Sequence, residues 1–297
     1  MLATLTREHF SDPGWIFEPK LDGIRCIAYR KGKNVLLYSR NKLLLNDTFS
    51  QLLEPLLKQG AHDFIVDGEV VALERGISRF ERLQQRGQRH TPIFYYVFDI
   101  LYLDGRDLRG APLIERKAIL RRVLPFRDPL RYAEHREANG KQFYRTACSR
   151  GWEGIIAKRG ASIYASGRST DWLKFKCENQ QEFVIVGYTD PEGQRKGIGA
   201  LLVGVYERGK LKYAGKVGTG FDTKTLRLLE RKLSAIARVT TPCETALLPK
   251  RAHWVKPRLV AQVAFTEWTS TGKLRHPRFL GLRMDKKPAE VVRERGL

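Results

Sequence analysis

Apolar and polar residues alternate through Ile24-Arg25-Cys26-Ile27-Ala28-Tyr29, the period of two that predicts a strand. Lys31-Gly32-Lys33-Asn34 reads as a turn, and residues 35–39 as the returning arm of a hairpin. Phe49, Leu52, Leu53, Leu56 and Leu57 recur at helical spacing instead, predicting a short helix over residues 48–59. Runs rich in Val, Ile, Phe and Tyr predict strands over residues 64–73, 93–102 and 154–159, since β-branched and aromatic side chains suit a pleated surface. Helical patterns fill residues 78–86, 113–124 and 133–149. This is an α+β pattern.

After Lys176 the texture changes. Short strand patterns over residues 183–188, 200–206, 211–217 and 259–268 alternate with Gly-rich turns, and one helical stretch, 223–237, interrupts them. Such spacing suits a small Greek-key barrel of the OB type. The polar run Cys177-Glu178-Asn179-Gln180-Gln181 is the expected linker, giving an α+β domain over 1–178 and a barrel over 179–297.

A chain of 297 residues has room for about two cores. With 42% hydrophobic and 29% charged residues it is neither disordered nor a disulfide miniprotein. No stretch is apolar enough to span a bilayer, and the first residues carry no secretory pattern. Cys26, Cys148, Cys177 and Cys243 stand far apart, with no CxxC pair, so neither a zinc knuckle nor a disulfide framework is expected and a cytoplasmic setting fits. Lysine and arginine number 54 against 32 acidic residues, a net charge of +22. A surface so basic recruits polyanions, nucleic acid first among them; a membrane surface is disfavoured, because no long basic amphipathic helix is present.

The segment Glu18-Pro19-Lys20-Leu21-Asp22-Gly23-Ile24-Arg25 concentrates candidate chemistry. Pro19 restrains the approach to Lys20, and Gly23 is free to take positive φ and admit a ligand to the main chain. On these residues alone, a solvated lysine on a surface turn and a nucleophilic lysine both fit. The second needs neighbouring cations or burial, because an amine with a pKa near 10.4 is protonated at pH 7.

In its ordered motifs the chain resembles the covalent nucleotidyltransferases, and most closely the ATP-dependent DNA ligases of the bacterial end-joining type. Lys20-Leu21-Asp22-Gly23-Ile24-Arg25 matches the KxDGxR element, and Ser39-Arg40-Asn41 the SRN element. Val66-Asp67-Gly68-Glu69, the aromatic strand around Phe98-Asp99, and Trp152-Glu153-Gly154-Ile155-Ile156-Ala157-Lys158 follow in order. Trp172-Leu173-Lys174-Phe175-Lys176 and Arg283-Met284-Asp285-Lys286 complete the set.

The resemblance implies an adenylation domain with antiparallel sheets and flanking helices, followed by an OB-fold barrel. It implies that Lys20 attacks the α-phosphate of ATP and that Glu153 serves Mg²⁺ or Mn²⁺. It further implies that Glu69 and Arg25 contact the sugar, that Phe98 stacks on adenine, and that Glu18 lies near the purine edge. Lys174 and Lys176, alternating with Phe175 and so sharing a face, would cradle the α-phosphate while their field helps keep Lys20 neutral. Arg283 and Lys286 would orient the pyrophosphate, brought there by rotation about a hinge in 177–181. Arg40 would contact backbone phosphate of nicked or broken double-stranded DNA. Partners implied are that DNA and, through the end-joining type, a Ku-type protein; a monomer is expected.

An RNA ligase, a GTP-using capping enzyme and a silent nucleic-acid-binding module are the competing readings. Two departures stand out. Lys42 occupies a place commonly held by Gly, so either Asn41 carries the left-handed residue or the turn differs. Only 19 residues precede Lys20, so the two catalytic domains are expected to grip the duplex alone, aided by their charge.

Overall fold

The predicted hairpin forms, with Ile24–Lys31 antiparallel to Asn34–Ser39. Its first strand continues on the other side into Asp63–Glu74, and that strand into Ile93–Leu103. The computed structural model describes residues 1–84, 91–191, 197–244, 249 and 252–294. The chain divides into two compact units, Met1–Cys177 and Glu178–Glu294.

Two sheets build the first unit. One runs Asn34–Ser39, Ile24–Lys31, Asp63–Glu74, Ile93–Leu103 and Arg106–Asp107, with Leu130–Tyr132 added in parallel to Ile93–Leu103. The second has the order Leu2–Leu5, Arg168–Lys176, Gly154–Arg159, Trp15–Pro19 and Arg136–Glu137. Its outer face buries Phe17, Ile155, Ala157, Leu173 and Phe175 against Phe143 and Ala147 of the helix Gly140–Ser149. Those two helical residues are four apart, which stacks them on one stripe.

Several elements differ from expectation. The helix expected over 133–149 begins only at Gly140, because Arg136–Glu137 is drawn into the sheet beside Ile16 and Phe17. The helix expected over 48–59 is a 3-10 turn, Ser50–Leu52, followed by Leu53–Leu57. Phe80–Gln84 is the helical part of the expected 78–86, whose last two residues lie outside the described residues. Asp22 of the KxDGxR element holds that helix by accepting the Phe80 N–H at 3.1 Å.

In the second unit Asn179–Thr189 is a long shared strand. Its first half pairs with Val260–Phe265 and its second half with Ala200–Glu207 and Ala252–Val255. Lys210–Val217 follows on one side and Arg278–Leu282 on the other, and a bridge from Thr219 to Arg278 brings these outer strands together. The helix Thr223–Ser234 is capped by Asp222, whose carboxylate accepts the Thr225 N–H at 2.7 Å. Its last turn stops short of residue 237, which is already sheet.

Two expectations at the junction are corrected. Gln180 and Gln181 are not linker; both are buried in the first strand of the second unit. Gln181 donates to the Val292 carbonyl and accepts from the Glu294 N–H. Cys148 and Cys177 are joined in a disulfide, with Cα atoms 5.2 Å apart across a sequence separation of 29. Spacing along the chain says nothing about such a pair until the sheet and the helix Gly140–Ser149 have packed. No helix among the described residues is long and apolar enough to cross a membrane.

Candidate active site

Strand register assembles one wall of the site. Ile156 pairs with Glu18 on one side and Lys174 on the other, and Gly154 pairs with Lys176. The Lys20 N–H donates to the Gly154 carbonyl at 2.9 Å, extending the same ladder. Directly paired residues share a face and alternate ones repeat it. Glu18, Lys20, Lys158, Trp172, Lys174 and Lys176 therefore lie together on the face opposite Phe17 and Phe175. Gly154 is required there: its φ is +147° and an added Cβ would stand 2.0 Å from the Phe175 carbonyl oxygen.

The sheet of Ile24–Lys31, Asp63–Glu74 and Ile93–Leu103 supplies the facing wall. Arg25 pairs across the strands with Glu69, and its guanidinium forks onto Asp67 through two 2.5 Å hydrogen bonds. Tyr164 donates to the same carboxylate at 2.7 Å. The buried Phe98 ring packs with Met1, Ile16, Leu113, Ala133 and Trp172. The ammonium of Lys158 lies 4.1 Å from the centroids of both Phe98 and Trp172, and Arg25 lies 4.7 Å over Phe98. Ring faces attract cations in this way when water is excluded.

Lys20 is ion-paired with Glu153. Burial pulls the Lys20 amine toward its neutral form, but Glu153, with Asp22 and Glu69 behind it, outweighs burial and raises its pKa. The expected depression by Lys174 and Lys176 is corrected accordingly, because carboxylates dominate the field at this amine. Glu153 Oε2 is buried with no hydrogen-bond partner, a carboxylate oxygen chemically suited to a divalent cation.

Sequence reasoning missed a buried charge cluster. Glu18 accepts from Lys117 at 2.6 Å and from Lys158 at 2.5 Å, and all three are essentially removed from solvent. Burial drags the Lys158 pKa down to about 8, and the charge on Lys117 adds to the effect against the opposing pull of Glu18. Arg116, beside Lys117, forks onto Asp99 at 2.8 Å with neither side chain exposed. The helical pattern over 113–124 gives these cations no role by itself. The available signal was Glu18 and Asp99 in apolar strands, since buried carboxylates need cationic partners.

Gly23 is also corrected. It has no positive φ; its lack of a side chain serves close packing, because a Cβ would meet the Val70 carbonyl at 2.2 Å. At the SRN turn Lys42 itself takes the left-handed conformation, φ 60°, while its N–H donates to the Ser39 carbonyl. Arg40 is exposed on that turn.

Arg283 and Lys286 belong to the second unit. Arg283 forks onto Asp285 at 2.9 and 2.8 Å, and Lys286 pairs with Glu182 at 2.9 Å. Burial would raise the Asp285 pKa, but Arg283 and Lys286 hold it below the usual range.

The architecture of an α+β unit with lysine-bearing sheets, followed by a barrel, defines the nucleotidyltransferase plus OB-fold class. Residues 1–176 match the ATP dependent DNA ligase domain, and residues 194–286 the ATP dependent DNA ligase C terminal region. The chain belongs to the ATP-dependent DNA ligase family. It is 39% identical over 293 residues to the multifunctional non-homologous end joining protein LigD of Pseudomonas aeruginosa, covering 95% of this chain and 35% of that protein. The LigD of Mycobacterium tuberculosis is 40% identical over 288 residues, covering 94% and 37%. The chain thus spans about a third of the length of these curated relatives. A solved structure of mycobacterial DNA ligase D complexed with ATP and MES matches with a TM-score of 0.69 and 36% identity, over 99% of this chain and 98% of that one. These matches favour the DNA ligase family over RNA-directed relatives.

Proposed function

We propose that the chain is an ATP-dependent ligase that seals nicks or breaks in double-stranded DNA, acting in end joining. The observation that carries this reading is the ladder placing Lys20 beside Gly154 and Lys176, with Glu18 and Lys174 one step along it. Lys20 Nζ, once it has lost a proton to water, would attack the α-phosphorus of ATP, forming an N–P bond as the bond to pyrophosphate breaks. The AMP then passes to a 5′-phosphate, and a 3′-hydroxyl displaces it to close the strand.

Glu69 and Arg25 would meet the sugar, Phe98 the adenine, and Lys174 and Lys176 the α-phosphate. In this role Arg25 is held by Asp67, so its position is set before nucleotide arrives. Arg283 and Lys286 would steady the departing pyrophosphate, where cations offset developing charge. Arg40 would hold DNA phosphate from its exposed turn. Glu153 would hold Mg²⁺ or Mn²⁺, its unpartnered Oε2 fitting that task. Such a cation shields the triphosphate charge. We place the enzyme on DNA in the cytoplasm, with a Ku-type end-binding protein as its recruiter and a monomer as its working state.

Incubation with α-labelled ATP tests the reading. Label should appear on the Lys20 peptide as added AMP and vanish in Lys20→Ala. Equal labelling of the two proteins, or preferential use of GTP or nicked RNA, would refute it.

A further inference from the structure

Cys177 holds both ends of the segment that delivers Glu153. Its sulfur is bonded to Cys148, in the last turn of the helix Gly140–Ser149, and its N–H donates to the Glu153 carbonyl at 3.0 Å. Between those two attachments run only Ser149, Arg150, Gly151 and Trp152. Glu153 carries the carboxylate paired with Lys20, and Gly154 after it pairs with Lys176 and accepts the Lys20 N–H. The strand end beside Cys177 is tied as well, because the Tyr144 hydroxyl donates to the Lys176 carbonyl at 3.1 Å. One covalent bond therefore closes a small ring of chain around the carboxylate that faces Lys20.

The bond is not what docks the helix. Phe143 and Ala147 are buried against Phe17 and Phe175, and the Trp152 N–H donates to the Ala147 carbonyl at 2.9 Å, without any help from sulfur. Nor is the bond sealed from solvent. Cys148 and Cys177 are half-buried, whereas Cys26 and Cys243 are buried thiols. Access is one of the conditions that decide which disulfide exchanges with a thiolate. In the reducing setting proposed above, such bonds are made and broken in use rather than kept as permanent staples.

We propose that Cys148–Cys177 is a thiol–disulfide exchange site, reduced by a dithiol, whose state sets how firmly Glu153 is held against Lys20 and, with it, the adenylylation step. One thiolate of the dithiol attacks a sulfur of the pair, forming a mixed disulfide and releasing the other sulfur as a thiolate; the second thiol of the reagent then displaces the protein. The chain gains two electrons and two protons as its S–S bond breaks, and the dithiol leaves as a disulfide. In the reduced chain the hydrogen bonds from the Cys177 N–H and the Tyr144 hydroxyl remain, but the covalent closure is gone and the Glu153 segment is held by Cys177 at one end only. The consequence for adenylylation rests on the reading of Lys20 and Glu153 given above.

The test treats the intact chain with dithiothreitol or with its oxidised cyclic form, removes the reagent, and works without air at a temperature where melting shows both states folded. Alkylation and mass spectrometry, without denaturant, should find Cys148 and Cys177 modified only after dithiothreitol. Reductive methylation of Lys20 at pH 8 in chelator should run at least about threefold faster in the reduced protein, because Glu153 holds the amine protonated. The KM for ATP in Lys20 labelling should rise by about the same factor, as the carboxylate is less well placed. Cys148→Ser should give the reduced values after either treatment; should it fail to fold, Cys177→Ser, which keeps its N–H, is judged by the same criterion. Failure of the folded protein to be reduced, equal methylation or an equal KM in the two states, or a serine variant that still responds to dithiothreitol, overturns the proposal. Absence of AMP label in both states would instead remove the reading of Lys20, and the methylation comparison, which needs no nucleotide, keeps the two failures apart.

Discussion

Lys20 Nζ donates to one oxygen of Glu153 while the other oxygen of that carboxylate is buried and unpartnered. The proposed nucleophile and the carboxylate proposed to hold the metal are thus each other's counterion. In Glu153→Gln the charge that raises the Lys20 pKa is gone and burial, which lowers it, is left less opposed. Reductive methylation of Lys20 at pH 8 in chelator, followed by mass spectrometry, should therefore run several-fold faster than in wild type. AMP labelling should fall by about a hundredfold or more in the same variant, as the cation loses its carboxylate. Unchanged methylation would mean the pair does not govern the amine.

Asp67 is fully buried under Arg25 and Tyr164. Asp67→Asn removes the charge from a forked pair and should cost about 3 kcal/mol, the low end for a broken buried pair, since the Arg25 side chain keeps 21% exposure and can rehydrate. Tyr164→Phe deletes one hydrogen bond to a charged acceptor and should cost about 1.5 kcal/mol. Urea unfolding of the three proteins measures both.

The Lys158 pKa of about 8 lies below its ordinary 10.5. Below pH 8 the amine is protonated in folded and unfolded chains alike and adds no slope. Between pH 8 and 10 the unfolded chain retains the proton and the folded chain has released it, so unfolding takes up a proton and stability rises with pH, by about 1.4 kcal/mol per unit. The difference in unfolding free energy between wild type and Lys158→Met should show this rise, and a flat difference across pH 8 to 10 would contradict it.

The Cys148–Cys177 disulfide leaves Cys26 and Cys243 as free, buried thiols. Titration with a thiol reagent in denaturant should find two reactive cysteines before reduction and four after it. Reduction should lower stability by up to about 3–4 kcal/mol, the loop-closure value for a loop of this length. Four thiols without reductant would overturn the pairing.

A chain of net charge +22 that grips DNA through phosphates releases counterions as it binds. If about six phosphates are contacted, affinity for nicked duplex should fall roughly 10³-fold between 50 and 200 mM salt. Fluorescence anisotropy over that range measures the slope.

Much of this was legible along the chain because strand periodicity and turn chemistry are local. Alternation alone placed Lys174 and Lys176 on one face with Phe175 on the other, and the Ile24–Lys31 hairpin at its turn. The order of motifs around Lys20 pointed to the ligase family. Residues 133–139 misled, since pairing with a sheet edge, not local helical pattern, decides Arg136–Glu137.

What only the tertiary structure decided are the pairings between distant residues. Glu18 meets Lys117 and Lys158 across 99 and 140 positions, and Cys148 meets Cys177 once a helix has packed on a sheet. The Glu18 contacts, and likewise the Lys20–Glu153 pair, determine which charges lose water, and therefore the protonation of Lys158 and of Lys20. Lys42 shows the same division: its left-handed backbone is held by the bonds of the turn around it, not by a preference of lysine. Sequence fixes which groups a strand presents, whereas desolvation and Coulomb attraction act through space, and only the packed fold sets those distances.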